Sequence, residues 1–377
     1  MAQMRRTTWW VLGLLGLMSA CSCQNSSARG RARTPSARIE KREAKLERKK
    51  EKRKQSATSN TPPSEQTVPA ACAVLPSIAP KPADTLRFVT VNSDGGVESF
   101  RGLAKQGLDR PFTEHLDCLA NLVTALDGDL VFLSEMHRFS PSWQRWDMAD
   151  ELEQRVERRS SGWSIAFEQS CRITKDKGTE GRIGVVGNAL LARTKQGDQG
   201  ASRVLGVPLP TDIKPDRESG VGEWWERDGQ CMGGDDEAAR NRGRQKVAML
   251  AVGPANIDVV GVHLSPGKKN GDLRRRQLDE VNKRYQEFAK TAHPKRKDSQ
   301  GPAIAVGDFN EGDTVYETLV GALGSDWKNA TAAVQYDRKL DHIFTRNLDV
   351  VGAHELHVTF LNHHVLYVDV RVPAKKE

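Results

Sequence analysis

The chain has 377 residues, 28% of them charged, and a formal net charge of +8. That length suits one large α/β domain plus further segments, and the spacing of the six Cys excludes a CxxC metal site. Residues 29–54 hold thirteen Lys/Arg against four Glu, so the basicity belongs to that stretch, the rest is slightly acidic, and the global basic footprint of a dedicated duplex binder is absent.

At the amino end, Arg5 and Arg6 precede an apolar run from Trp9 to Met18 and then Ser19-Ala20-Cys21. This is the layout of a secretory signal over residues 1–20, and the run is too short to span a bilayer. With Cys directly after small residues it resembles a bacterial lipoprotein signal, which implies lipidation at Cys21; an ordinary cleaved signal with a free Cys is the alternative. Ser22 in second position favours the outer membrane. Residues 21–84 read as a disordered basic linker, rich in Ser, Pro, Arg, Lys and Glu. Glu43, Glu47 and Glu51 repeat at i,i+4, as do Lys41, Lys45 and Lys49, which opposes a stable helix. A coil of roughly 60 residues reaches about 45 Å, and its charge suits anionic headgroups. Among the remaining Cys, Cys171 with Cys231 is the expected disulfide.

Residues 85–377 read as one domain. Leu86 to Ser93 is a strand ending at Asn92, and Pro111 to Leu126 keeps a 3.6-residue apolar period. Asp127-Gly128 closes that helix, and a strand from Asp129 delivers Glu135 at its end. A helix follows over Trp146 to Arg158, then strands at Trp163 to Gln169 and Val185 to Arg193, where Gly187-Asn188 is either a bulge or a place where Asn188 faces a cleft. Gly200 to Arg244 is long and rich in Gly and charge, as functional or disordered loops are. Strands at Lys246 to Val252 and Asn256 to Leu264 lead to an amphipathic helix, Asp272 to Lys290. The run Ala303 to Gly307 ends in Asp308-Phe309-Asn310; in extended backbone Asp308 and Asn310 share a face while Phe309 turns to the core. Standing alone it would be a strand-ending Asx turn. A short helix over Tyr316 to Leu323 and strands at Leu340 to Thr345, Leu348 to Glu355 and His364 to Val372 complete the chain. Strands in consecutive runs with helices between some of them suggest two sheets packed face to face with helices outside.

In order, Val91-Asn92, Leu133-Ser134-Glu135, Gly187-Asn188-Ala189-Leu190-Leu191, Gly261-Val262-His263-Leu264, Arg276-Gln277, Gly307-Asp308-Phe309-Asn310, Leu340-Asp341-His342-Ile343-Phe344 and Asn362-His363-His364 resemble the motifs of the endonuclease/exonuclease/phosphatase superfamily, the deoxyribonuclease I-like group. The resemblance implies an α+β fold: a four-layer α/β/β/α sandwich of two packed mixed sheets flanked by helices. It puts Asn92 and Glu135 on metal-binding positions, Asp308 and Asn310 where water and a phosphate oxygen are oriented, and His263 on the scissile phosphate. His364 becomes a second histidine held by Asp341, and Asn188 and Arg276 become substrate contacts. Hard oxygen ligands suit Mg²⁺, with Mn²⁺ or Ca²⁺ as alternatives. Two departures stand out: Ser134 precedes Glu135 where many relatives have Gln, and the usual Ser-Asp-His near the last strand is aligned with Asn362-His363-His364, which places His363 on the Asp. His342, His354, His357 and His363 read as structural or surface residues.

The expected function is an exported, membrane-tethered, metal-dependent phosphoester hydrolase, nuclease-like, acting on a phosphoester substrate with nucleic acid favoured over lipid, and monomeric. The alternatives are a sphingomyelinase- or inositol-phosphatase-like hydrolase, or a catalytically weak surface binding protein on the same fold.

Overall fold

Alternating and continuous apolar runs become strands in the computed structural model, which describes residues 75–93, 110–138, 147–174, 183–194, 202–210, 246–267, 270–294, 296, 301–312, 315–335 and 339–373. The chain divides into two compact units, 1–66 and 67–377. The first unit, with Cys21 and the basic stretch, lies outside the described residues, as do Trp143, Trp146, Trp224, Trp225 and Cys231.

In the second unit, one sheet holds β1 (Leu86–Asn92), β2 (Leu130–Arg138), β3 (Trp163–Thr174), β4 (Ile183–Arg193), β11 (Asp349–Leu356) and β12 (Val365–Arg371), in the order β11-β12-β1-β2-β4-β3. The other holds β5 (Ser202–Pro208), β6 (Val247–Val252), β7 (Asp258–His263), β8 (Ala303–Asp308), β9 (Lys328–Asn329) and β10 (Asp341–Arg346), in the order β5-β6-β7-β8-β10-β9. Both are mixed: β1 with β2 and β7 with β8 are parallel, and the other pairs are antiparallel.

Four helices of eight or more residues are described: α1 (Arg110–Leu126), α2 (Met148–Arg159), α3 (Gly271–Ala292) and α4 (Val315–Leu323). Leu116, Leu119, Leu122, Val123 and Leu126 of α1 recur at three- and four-residue spacing and pack on the outer face of the first sheet against Val89, Val131 and Leu133. α2 is capped by Asp147, which accepts from the Asp150 amide, and carries Asp150 and Glu151 in its first turn and Arg158 and Arg159 in its last, the polarity the helix dipole favours. Leu278, Val281, Tyr285 and Phe288 of α3 cover the outer face of the second sheet with Val260, Ala303 and Ala305.

A third core fills the space between the sheets. Phe88, Leu130 and Phe132 meet Met249, Val259, Ile304 and Val306 there. Strand periodicity sorts the residues: Leu130 and Phe132 turn inward while Val131 and Leu133 turn to the helices. Three cores between four layers make the α/β/β/α sandwich.

Residues 75–84, which the sequence assigns to the linker, lie against this domain. Leu75 and Ile78 pack on the first core, the Ala79 amide donates to the Tyr367 hydroxyl at 3.1 Å, and Lys81 pairs with Asp129 at 3.0 Å. Cys118 of α1 is in a disulfide whose partner lies outside the described side chains; those of Cys171 and Cys231 do too, so the expected pair stands as an expectation. Among the described residues no helix is long and apolar enough to cross a membrane.

Candidate phosphoester site

Strand register brings the candidate residues to one end of the sandwich. In the second sheet, His263 ends β7 level with Asp308 on parallel β8, and Asp308 is level with Asp341 on antiparallel β10. In the first sheet, Asn92 ends β1 opposite Ser134, and β12 runs antiparallel to β1, so the loop before β12 returns to the Asn92 end. β2 continues past Glu135 to Arg138, with a register shift between Leu133 and Met136 and Glu135 at φ +59. A bulge of this kind re-aims a side chain at a strand end.

Asp308 is the centre of the group. Its Oδ1 accepts from the Asn310 backbone N–H at 2.8 Å and its Oδ2 accepts from the Asn92 amide at 3.0 Å, with His263 Nε2 3.7 Å away. The Asx turn and the site are thus the same feature. Strand geometry stops at Asp308: Asn310 sits at φ +50 and donates its side-chain amide to the Leu264 carbonyl at 2.9 Å, tying the ends of β7 and β8 together. Phe309 is buried in the core as its alternation requires. Gly307 is required twice over, because it sits at φ +138 and a Cβ there would meet the Val262 carbonyl oxygen at 1.9 Å.

Asp341, Asp308 and His363 each offer a ligand atom, all within 4.8 Å of one another. His363 Nδ1 is 2.8 Å from Asp341 Oδ2, and its Nε2 lies 3.4 Å from the Asn92 amide. Burial pushes the Asp308 carboxyl up to about 7, with neighbouring Asp341 adding to the effect against His363, the Asn310 amide and Lys246. Burial pulls the His363 imidazole down, but its hydrogen bond to Asp341 and the charges of Asp341, Asp308 and Glu135 outweigh that and hold it up at about 9. Two carboxylates and an imidazole converging at this distance suit a divalent cation, which would relieve the repulsion between the carboxylates. Glu135, a third of its side chain exposed, has Oε1 3.6 Å from His263 Nε2.

Three expectations need correction. His364 is not held by Asp341: it pairs with Glu355, and its ring lies 5.1 Å from that of His357. The chain bends at Asn362 and His363 before β12 begins, and with His363 turned to Asp341, His364 is carried to β11. The Ser-Asp-His pattern of the resemblance then falls on Leu361-Asn362-His363, and the missing carboxylate is at Asn362. Second, Asn188 faces no cleft; it is fully buried and donates to the Val247 carbonyl at 2.7 Å across the two sheets. Third, Arg276 is exposed on the outer side of α3, because the apolar stripe through Leu278 and Val281, carried back one turn, passes through Arg274 and Gln277.

Those two residues build the loops of the site. Arg274 donates to Glu311 at 2.6 Å and to the carbonyls of Ser265 and Gly267 at 3.1 and 2.8 Å. Gln277 accepts from the Ser265 amide at 3.0 Å and donates to the Pro210 carbonyl at 2.8 Å. Helical spacing would have found both. Lys246, just before β6, was also missed: its Nζ is 2.7 Å from His263 Nε2. Only its place at the head of an apolar run could have flagged it. His342 turns away, with Nε2 3.0 Å from the Glu311 and Lys339 carbonyls.

No protein-family model and no curated protein matches the chain. Among solved structures it is similar to an endonuclease/exonuclease/phosphatase from Beutenbergia cavernae, at 16% identity over 77% of this chain and 72% of that one, with TM-score 0.47. It is similar to an endonuclease/exonuclease/phosphatase family protein from Leptotrichia buccalis, at 12% identity over 76% and 99%, with TM-score 0.46. The human Nocturnin catalytic domain with bound sulfate is similar at 15% identity over 77% and 94%, with TM-score 0.48. The α/β/β/α sandwich itself stands on this chain's own strand order and its three cores, and it is the fold that the sequence resemblance implies.

Proposed function

We propose that the chain is a divalent-metal-dependent phosphoester hydrolase of the endonuclease/exonuclease/phosphatase type, with a phosphodiester, nucleic acid foremost, as substrate. The observation that carries this reading is the convergence of Asp308, Asp341 and His363 with Asn92, His263 and Glu135 at one end of two packed sheets. Glu135 and Asn92, with the adjoining carboxylates of Asp308 and Asp341, are the residues that would hold Mg²⁺, Mn²⁺ or Ca²⁺. Such an ion neutralises phosphoryl charge and makes water more acidic when bound.

The protein's own groups divide the remaining work. Asp308, fixed through both oxygens by Asn310 and Asn92, is oriented to take a proton from water. His363, fixed by Asp341, is oriented to pass a proton to the departing oxygen. Arg274 and Gln277 hold the loops after His263 and Asp308, and so act as positioning residues.

The reading includes export through residues 1–20, lipidation at Cys21 and a basic linker that holds a monomeric domain near an anionic outer-membrane surface. These parts rest on the sequence. A Cys21→Ser chain that leaves the membrane fraction supports them, and one that stays refutes lipidation.

The test of the hydrolase uses the mature chain with Mg²⁺ or Mn²⁺ on plasmid DNA, RNA, sphingomyelin and bis(p-nitrophenyl) phosphate. Asp308→Ala and His363→Ala should each lose about 10²-fold or more in turnover, while His364→Ala stays close to the parent. Metal binding without turnover on any of these would favour the surface-binding alternative, for which the loss of a carboxylate at Asn362 is the structural ground.

A further inference from the structure

We infer that Lys246 is a phosphate-binding residue, its ammonium taking a non-bridging phosphoryl oxygen of the substrate; this deepens the hydrolase reading and rests on it. Both sides of the Lys246 backbone are pinned. Its carbonyl accepts from the Leu209 amide at 2.9 Å, and the next carbonyl, that of Val247, accepts from Asn188 of the facing sheet at 2.7 Å. So held, the side chain reaches the end of β7, where Nζ lies 2.7 Å from His263 Nε2 and 3.3 Å from Nδ1. The residue is only 7% exposed. The nitrogen it contacts is 3.6 Å from Glu135 Oε1 and 3.7 Å from Asp308 Oδ2.

The ammonium therefore lies against the His263 ring at the end of β7, buried rather than at the rim. Placing a lysine this deep costs desolvation, and Asp308 feels its charge. The group is suited to an anion. Glu135, Asp308 and Asp341 alone would repel a phosphate, and among the described residues the nearby arginines are committed elsewhere: Arg274 is bonded to Glu311 and to two loop carbonyls, while Arg276 is exposed. An ammonium is a compact charge with three donors. Its contact with His263 uses one of them, and a phosphoryl oxygen would share or compete for the others.

The experiment measures inorganic phosphate binding to the Mg²⁺-loaded mature chain by calorimetry, together with turnover of bis(p-nitrophenyl) phosphate, for the parent, Lys246→Met and Lys246→Arg. Lys246→Met should weaken phosphate binding about 10-fold or more and lower kcat/KM about 10²-fold, and Lys246→Arg should recover part of both. Parent-like phosphate affinity and turnover in Lys246→Met overturn the inference and leave the hydrolase reading in place. A parent that neither binds phosphate nor turns over any phosphoester overturns both. If Lys246→Met does not fold, the ¹⁵N signal of the Lys246 ammonium in the parent decides: a shift on adding phosphate supports the contact, and an unmoved signal refutes it.

Discussion

Replacing Asp341 by Asn should uncouple His363, and the size of the effect follows from the site. In the folded chain His363 stands near 9 against an ordinary 6.5, with burial opposing the shift and Asp341 the largest influence favouring it. A rise of about 2.5 units corresponds to about 3 kcal/mol of preferential stabilisation of the imidazolium. Because the folded value lies above the unfolded one, that stability is present in full below about 6.5 and disappears as pH rises through about 9. In Asp341→Asn the largest favouring influence is gone while burial remains, so His363 should titrate well below 9, with Asp308 and Glu135 as its remaining support. The assay is an NMR titration of the histidine ring protons in chelator-treated protein, alongside denaturant unfolding at several pH values. The stability advantage of the parent over Asp341→Asn should shrink by up to about 3 kcal/mol between pH 6 and 10. A His363 that titrates near 6.5 with Asp341 intact, or an Asp341→Asn exchange that moves His364 instead, would refute the pairing and return the role to His364.

Further expectations follow from buried groups elsewhere. Arg87 and Asp369, each 1% exposed and joined by bonds of 2.8 Å, tie β1 to β12, so Arg87→Met should cost about 3–5 kcal/mol by denaturant midpoint. Replacing both partners by apolar residues should restore much of that loss. Gly307→Ala places a Cβ 1.9 Å from the Val262 oxygen at φ +138; it should cost at least about 3 kcal/mol, and any folded fraction should lose turnover because Asp308 is displaced, as melting curves and kinetics would show. His115, 1% exposed, has its imidazole lowered to about 4 by burial, with His137 contributing. Its unfolded form binds a proton first as pH falls, so it removes stability between about 6.5 and 4, by up to about 3 kcal/mol. His115→Phe should flatten that part of the stability–pH profile.

The sandwich was legible because its signals are local. The period of two in residues 130–133 and 303–306 sorts each strand between two cores, and the stripe of α1 marks its single face. Less legible were β5 and β9, short edge strands inside stretches rich in turn residues, and the extension of β2 through Glu135. A bulge turns on one residue's backbone, here φ +59, and leaves no periodic trace. The acidic and amide members of the site, Asn92, Glu135, Asp308 and Asp341, were readable because each closes or opens an apolar run. Lys246 was missed, since nothing in a linear pattern shows which strand ends share a rung, whereas Arg274 and Gln277 lie on the buried face that the helical spacing of Leu278 and Val281 marks.

The histidines mark the limit of linear reading most sharply. Asn362-His363-His364 offers two imidazoles one residue apart, and a slip of one in alignment exchanges the inward and outward faces. The resemblance chose His364 and assigned the lost acidic residue to His363. The chain bends at Asn362 and His363 before β12 begins, and this turn, which no strand alternation predicts, brings His363 to Asp341 and Asn92 instead. What is absent at position 362 is then a carboxylate replaced by an exposed amide, while the imidazole held by Asp341 is retained. An amide at that place coordinates a second cation poorly but leaves the proton-handling pair whole. On the proposed hydrolase reading the chain would work with one cation, and Asn362→Asp separates that reading from a scaffold stripped of catalysis: a hydrolase gains metal affinity upon an activity already present, whereas a stripped scaffold gains activity it lacked.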